Sequence, residues 1–206
     1  MAFVPSDHGS DAALTAHKIL IAGGFGAGKT TLVSAISEVR PLLTEEPLST
    51  ASVGRDSLAG LPNKKTTTVA LDFGRITISD SLVLYLFGVP GQERFWFMWD
   101  ELAYGALGAV VLGDVRRLGD CFPSVNYFET RELPFVVAVN CFDDAPRYDL
   151  GEVRLALDLD EDVPLVLCDA RDQASVKNTL IRLVESIATS GAGLAPAQGR
   201  SLIIGR

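Results

Sequence analysis

Gly23-Gly-Phe-Gly-Ala-Gly-Lys-Thr-Thr31 fits the phosphate-cradling pattern G-x-x-x-x-G-K-[ST] without a substitution, and the reading of the whole chain hangs on it. Directly before it, Lys18-Ile-Leu-Ile-Ala22 is a short apolar run of the kind that forms a buried strand. Directly after it, Leu32-Val-Ser-Ala-Ile-Ser-Glu-Val39 carries apolar residues at helical spacing until Pro41 ends the run. Strand, glycine-rich turn and helix therefore stand in the order that a P-loop requires. A glycine-rich turn that binds nothing would need none of this context.

In such a loop each residue type has a physical task. Gly23, Gly24, Phe25, Gly26, Ala27 and Gly28 turn backbone N–H groups toward phosphate oxygens, and a helix starting near Lys29, Thr30 and Thr31 adds the partial positive charge of its N-terminus. Lys29 supplies a point charge for the β- and γ-phosphates, and the Thr30 hydroxyl suits Mg²⁺.

A chain of 206 residues, 48% of them hydrophobic, can bury a full core in one domain without disulfides or structural metal. The formal net charge of −8 and a sequence pI near 4.7 speak against a nucleic-acid partner or an anionic membrane surface, both of which call for a basic patch. Cys121, Cys141 and Cys168 are odd in number and lack Cys-x-x-Cys spacing, so they read as reduced thiols of a cytoplasmic protein. No run reaches the length of a membrane-spanning helix, residues 1–16 lack a signal peptide's apolar segment, and the C-terminal end carries no prenylation box. Membrane recruitment, if it occurs, is expected to come through a partner.

Residues 42–65 are rich in Ser, Thr, Pro, Gly and charge and read as a long, functional connection. Residues 68–73 and 75–79 read as strand, turned at Gly74 or continuing past it, and residues 81–87 suit a hairpin with them. Gly88-Val-Pro-Gly-Gln-Glu-Arg94 is a breaker-rich loop, followed over residues 95–104 by a short helix whose consecutive aromatics cannot all face one core. Strands at 108–113, 134–140 and 163–167 then alternate with helices at 120–132, 150–157 and 172–188. This pattern gives an α/β fold with a mostly parallel six-stranded sheet covered by helices on both faces. The strand ends at Gly23, Gly113, Asn140 and Cys168 should open on one rim, where ligands bind in such sheets. Arg116 and Arg117 read as a solvated surface pair.

From about residue 18 to 188 the chain resembles a Ras-type small GTPase. Thr68 stands four residues before Asp72-Phe73, matching the spacing of the switch I threonine, and Gly91-Gln92-Glu93-Arg94-Phe95 matches the switch II run. Asn140-Cys-Phe-Asp143 takes the place of the Asn-Lys-x-Asp base-reading motif, and Cys168-Asp-Ala-Arg171 that of the Ser-Ala-Lys loop. The resemblance implies a P-loop NTPase G-domain over residues 17–190, between a flexible arm (1–16) and a tail (191–206). It implies GTP and GDP as ligands with Mg²⁺ as cofactor, base-side contacts from Asn140, Asp143, Asp169, Ala170 and Arg171, and metal contacts from Thr30 and Thr68. It also implies slow hydrolysis, with Gln92 orienting the attacking water and Lys29 and Gly91 in the same catalytic set.

The spelling Phe87-Gly-Val-Pro-Gly-Gln92 is similar to the bacterial branch that includes MglA-like proteins and the GTPases of actinobacterial conservon operons. That likeness implies a signalling or polarity switch working with a Roadblock-type regulator and, in conservons, a histidine-kinase-like sensor protein. Three positions depart from the pattern. Gly88 stands where a carboxylate normally holds a magnesium-bound water, Cys141 replaces the lysine of the base motif, and Thr67 stands where MglA-like relatives can carry an arginine. Two rival functions remain beside the switch: a P-loop ATPase or nucleoside kinase, and an interaction module that holds nucleotide without hydrolysing it.

Overall fold

The computed structural model describes residues 14–40, 71–91 and 93–189. Most of the expected arm, the tail, the 42–65 connection, Thr68 and Gln92 lie outside the described residues. Six strands form one sheet: β1 (Thr15–Gly23), β2 (Phe73–Ser79), β3 (Leu82–Gly88), β4 (Ala106–Gly113), β5 (Phe135–Asn140) and β6 (Leu165–Cys168). Their spatial order is β2-β3-β1-β4-β5-β6, with β2 antiparallel to β3 and every other neighbouring pair parallel. The expected α/β architecture is the observed one.

The apolar stretches become central strands because both of their faces are covered. On one face α1 (Lys29–Ile36) and α5 (Gln173–Thr189) pack Leu32, Val33, Val176, Leu180 and Leu183 against Ile19, Ile21, Val110 and Val136. On the other face α2 (Trp99–Ala103), α3 (Phe122–Thr130) and α4 (Leu150–Leu157) press Trp99, Val125, Phe128, Val153 and Leu157 onto Leu20, Ala109, Val111 and Val137. Alternate residues of one strand thus serve opposite cores, and so the strands read as continuous apolar runs.

Several boundaries move for local reasons. β1 begins at Thr15, three residues before the expected start, because Thr15 and Ala16 pair with Leu82 and Val83. α1 stops at Ile36, short of the expected end: the Ser37 hydroxyl donates to Val39 O and accepts from Arg75 N, giving the chain an alternative to another turn. β2 runs through Gly74, so the hairpin turns at Asp80-Ser81. The aromatic stretch divides as expected: Phe95 and Trp99 are buried, whereas Trp96 and Phe97 are exposed. The helix expected over 120–132 is α3, Phe122–Thr130, entered from a 3₁₀ segment, Val115–Cys121, with Pro123 in its first turn where the missing N–H costs nothing. α4 begins as its Asp-x-x-Glu spacing requires: Asp149 accepts from Gly151 N and Glu152 accepts from Asp149 N.

β1 is the switch point of this topology. Its neighbours are β3 on one side and β4 on the other, so the C-terminal ends of β1, β3, β4, β5 and β6 surround one crevice.

Candidate nucleotide-binding site

The loop after β1 has a backbone that side chains would forbid. Gly23 sits at φ +129, and a Cβ there would stand 2.2 Å from Leu112 O on β4. Gly28, immediately before α1, sits at φ +106, and its Cβ would stand 2.6 Å from Asn140 Nδ2. Left-handed φ and a close neighbour together demand glycine at both positions. The result is a ring of backbone closed by Ala27 N donating to Gly24 O at 3.3 Å, with Leu32 N donating to Gly28 O at 2.9 Å where the helix begins.

Lys29 folds back over this ring, its Nζ donating to Gly23 O at 2.9 Å and Gly24 O at 2.7 Å. Burial pulls its pKa below the ordinary lysine value, and the negative charge of Asp72 opposes that shift. Gly91 approaches the same atoms: a Cβ on it would lie 2.5 Å from Gly23 O and 3.1 Å from Lys29 Nζ. Thr30 Oγ1 donates to Asp72 Oδ2 at 2.8 Å. Phe25 is exposed, and Thr31 is exposed beside Thr30 on the first turn of α1.

Asn140 ties this end of the crevice to the other. Its Nδ2 donates to Ala27 O at 2.9 Å, and its Oδ1 accepts from Ala170 N at 3.1 Å. One buried side-chain amide therefore joins the P-loop, the end of β5 and the loop after β6. In that last loop, Arg171 forms a double fork. It donates to both oxygens of Asp143, at 2.7 and 2.9 Å, and to both oxygens of Asp169, at 2.9 and 2.8 Å. The fork holds both carboxylates below the usual range, Asp169 at about 2. Ser175 on α5 fixes the loop by accepting from Asp169 N at 2.9 Å. Ala170 is buried, while Asp143, Asp169 and Arg171 face outward.

The structure thus brings the P-loop residues, Gly91, Asn140, Asp143, Asp169, Ala170 and Arg171 to one rim. Cys141 beside them is partly exposed, whereas Cys168 is buried under the loop that follows it.

Arg116 and Arg117 are exposed, as their sequence suggests, but each is also held by specific partners. Asp114, almost fully buried at the end of β4, accepts from Arg116 N at 3.0 Å, from Arg116 Nε at 2.9 Å and from Arg116 Nη2 at 2.8 Å. The Arg116 hydrogen bond lowers the Asp114 pKa. Arg116 also lies 4.0 Å over the Phe142 ring of the loop after β5. Arg117 Nη2 reaches the P-loop itself, donating to Phe25 O at 2.8 Å. An Asp at a strand end followed two residues later by Arg is the only sequence signal for this, and it is a weak one.

The oxygen set next to Lys29, one hydroxyl and one carboxylate, has the hard-donor chemistry that suits Mg²⁺. Fold comparison agrees with the local geometry. The structure is similar to the G domain of the T. maritima FeoB iron transporter, at a TM-score of 0.58 and 18% identity, covering 83% of this chain and 98% of that one. It is also similar to an S. thermophilus NFeoB mutant bound to GDP, at a TM-score of 0.57 and 16% identity, covering 82% of this chain and 62% of that one. At these identities the likeness shows the P-loop NTPase G-domain fold. In sequence, an uncharacterized protein of Methanocaldococcus jannaschii is 26% identical over 138 residues, which span 66% of this chain and 73% of that protein. Residues 21–190 match the model of a family described as conserved hypothetical ATP binding protein, and the chain belongs to that family of nucleotide-binding P-loop proteins.

Proposed function

We propose that this chain is a guanine-nucleotide switch that binds GTP and GDP with Mg²⁺ and hydrolyses GTP slowly. The observation that carries the base assignment is the Arg171 fork on Asp143. The guanidinium offers the carboxylate two parallel N–H donors, as the N1 and N2 edge of guanine does, and adenine offers no such pair. Asp143 is thus a two-donor acceptor on the base side, and Asn140 fixes the distance between that side and the phosphate loop. Guanine entering the site takes the place of Arg171 on Asp143.

On the phosphate side, Lys29 exchanges the Gly23 and Gly24 carbonyls for phosphate oxygens, and the P-loop amides share the charge. Thr30 and Thr68 supply hydroxyls for Mg²⁺, which, when bound, neutralises charge on the β- and γ-phosphates. Gln92 orients the attacking water, and Gly91, packed against the P-loop, lets its own backbone sit beside the transferred group. The loops around Thr68 and Gln92 respond to the γ-phosphate, so the output is a surface. The exposed Trp96 and Phe97 next to this loop suit a protein partner. The likeness of Phe87–Gln92 to the MglA-like and conservon branch is the support for a Roadblock-type regulator and a sensor-kinase-like protein in that role, in a cytoplasmic signalling pathway that recruits the switch to a membrane through its partners.

The adenine reading has one specific support, the family's description as ATP binding. Competition of unlabelled GDP and ADP against a fluorescent nucleotide separates the two. GDP is expected to bind at least tenfold more tightly, since guanine gives the Asp143 carboxylate a pair of donors and adenine gives it none. Equal affinity for ADP would remove the guanine assignment, and preference for ADP would replace it. Asp143→Asn should move the preference toward xanthine nucleotides.

A further inference from the structure

The carboxylate that small GTPases carry at the position of Gly88 has gone from that position, but not from the space beside it. β2 and β3 run antiparallel with Phe73 opposite Phe87, which brings Asp72 opposite Gly88, and Gly88 N donates to Asp72 O at 2.7 Å. Residues opposite each other on antiparallel strands point to the same face. Here only one of the two can have a side chain: a Cβ on Gly88 would fall 2.8 Å from Asp72 Cβ, 2.9 Å from Oδ2 and 3.2 Å from Cγ. The Asp72 side chain lies across the space that a residue-88 side chain would fill. From there its Oδ2 takes the hydrogen of the Thr30 hydroxyl at 2.8 Å, and its charge acts on Lys29.

We propose that Asp72 is the carboxylate of the metal site, moved one strand over from residue 88, and that it orders the water shell of the divalent cation bound with nucleotide at Thr30. Gly88 is then part of the device, since any side chain there would push the carboxylate away. Asp72 does not touch the reacting atoms, so it is a positioning residue. The inference rests on the reading of this crevice as a metal–nucleotide site, and it is indifferent to whether the base is guanine or adenine.

The test uses the full chain loaded with whichever fluorescent nucleoside diphosphate it binds. Nucleotide dissociation is followed across a magnesium titration, with a parallel arm in EDTA, and Mn²⁺ occupancy is read by electron paramagnetic resonance. Asp72→Asn, which keeps the shape and loses the charge, is expected to raise the magnesium midpoint by about tenfold or more, the usual effect of losing a partner that orients metal ligands. In EDTA, where only the loss of its charge beside Lys29 is left to act, it should not speed dissociation. Gly88→Ala is expected to shift the midpoint in the same direction by crowding Asp72. The double variant Asp72→Gly with Gly88→Asp should recover most of the loss. A midpoint for Asp72→Asn within about twofold of the parent, even with a lowered melting temperature, overturns the proposal and leaves Asp72 as a structural brace for Thr30. A double variant no better than Asp72→Asn overturns the equivalence with position 88. Nucleotide that binds equally well with and without metal overturns the metal role alone, whereas absence of any nucleotide binding overturns the site reading and this inference together.

Discussion

At the phosphate end of the crevice the geometry is set by residues that lack side chains: Gly23 and Gly28 hold φ +129 and +106, and each leaves less than 3 Å for a Cβ. At the other end, the proposed base side, Asn140, Asp143, Asp169 and Arg171 set it through side chains that reach each other from two loops. The first arrangement has no graded failure at Gly23, because the Leu112 carbonyl is backbone and cannot step aside, and at Gly28 the left-handed φ and the buried Asn140 amide leave glycine no substitute. The second is adjustable, because each partner can be exchanged for one of different charge or length. A phosphate is common to every nucleotide and a base is not, so under the proposed function rigidity falls on the shared part and adjustability on the part that selects.

The largest effect that would break this contrast lies at Gly23. Gly23→Ala places a methyl 2.2 Å from Leu112 O in a left-handed conformation, and a loss of about 3–5 kcal/mol in urea unfolding is expected. A loss under about 1 kcal/mol would show that the loop is softer than its geometry implies. Next comes Asn140→Ala, which leaves Ala27 O and Ala170 N without their buried partner at a cost of about 1–3 kcal/mol each. Because that amide joins both ends, calorimetry should show weakened binding of nucleoside and of inorganic diphosphate alike.

Smaller again is Arg171→Gln. Its ion pairs are exposed and screened by solvent, so unfolding should barely change at neutral pH, while affinity for the preferred base should rise a few-fold once Asp143 no longer has to be vacated. Weaker binding would instead mean that Arg171 helps to hold the base. The fork also has a pH signature. Its carboxylates are depressed in the folded state, so their contribution is present above the unfolded value, near ~4, and is lost as pH falls through the folded one, about 2 for Asp169. The melting difference between parent and Arg171→Gln should therefore be constant at neutral pH and vanish between about pH 4 and pH 2.

The smallest effect is chemical. Sequence placement alone suggests that bound nucleotide would shield Cys141 and Cys168 and spare Cys121. The structure changes that expectation, because Cys121 and Cys168 are both buried and burial raises both thiol pKa values, Cys121 to about 11. Mass-spectrometric alkylation should find Cys141 modified first, and only Cys141 should respond to nucleotide.

The same contrast explains what could be read in advance. The P-loop glycines, Lys29 and Thr30 are legible because a backbone constraint leaves a fixed spelling over consecutive residues. Asn140 and Asp143 are legible once that spelling locates them at the end of a later strand. Asp72 and Arg117 were not legible as partners of the loop. Their contacts to Thr30 and Phe25 span 42 and 92 residues, and nothing local distinguishes Asp72 from a strand-end carboxylate or Arg117 from a surface cation. Such pairings come from the register of β2 on β3 and from the turn after β4, which periodicity does not fix to one residue.

Trp99 gives the molecule an optical reporter. The chain has two tryptophans, at positions 96 and 99, so its whole indole emission arises within one turn of chain beside the loop that ends at Gly91. Trp99 is buried against Tyr127 and Phe128, and its indole N–H donates to Pro90 O at 3.1 Å. Movement of that loop must stretch or break this bond and alter the polarity around the ring, while Trp96, 5.9 Å away between centroids, shares the disturbance. Unlabelled protein should therefore change its emission maximum between its diphosphate form and a non-hydrolysable triphosphate form, and Trp99→Phe should silence most of the change.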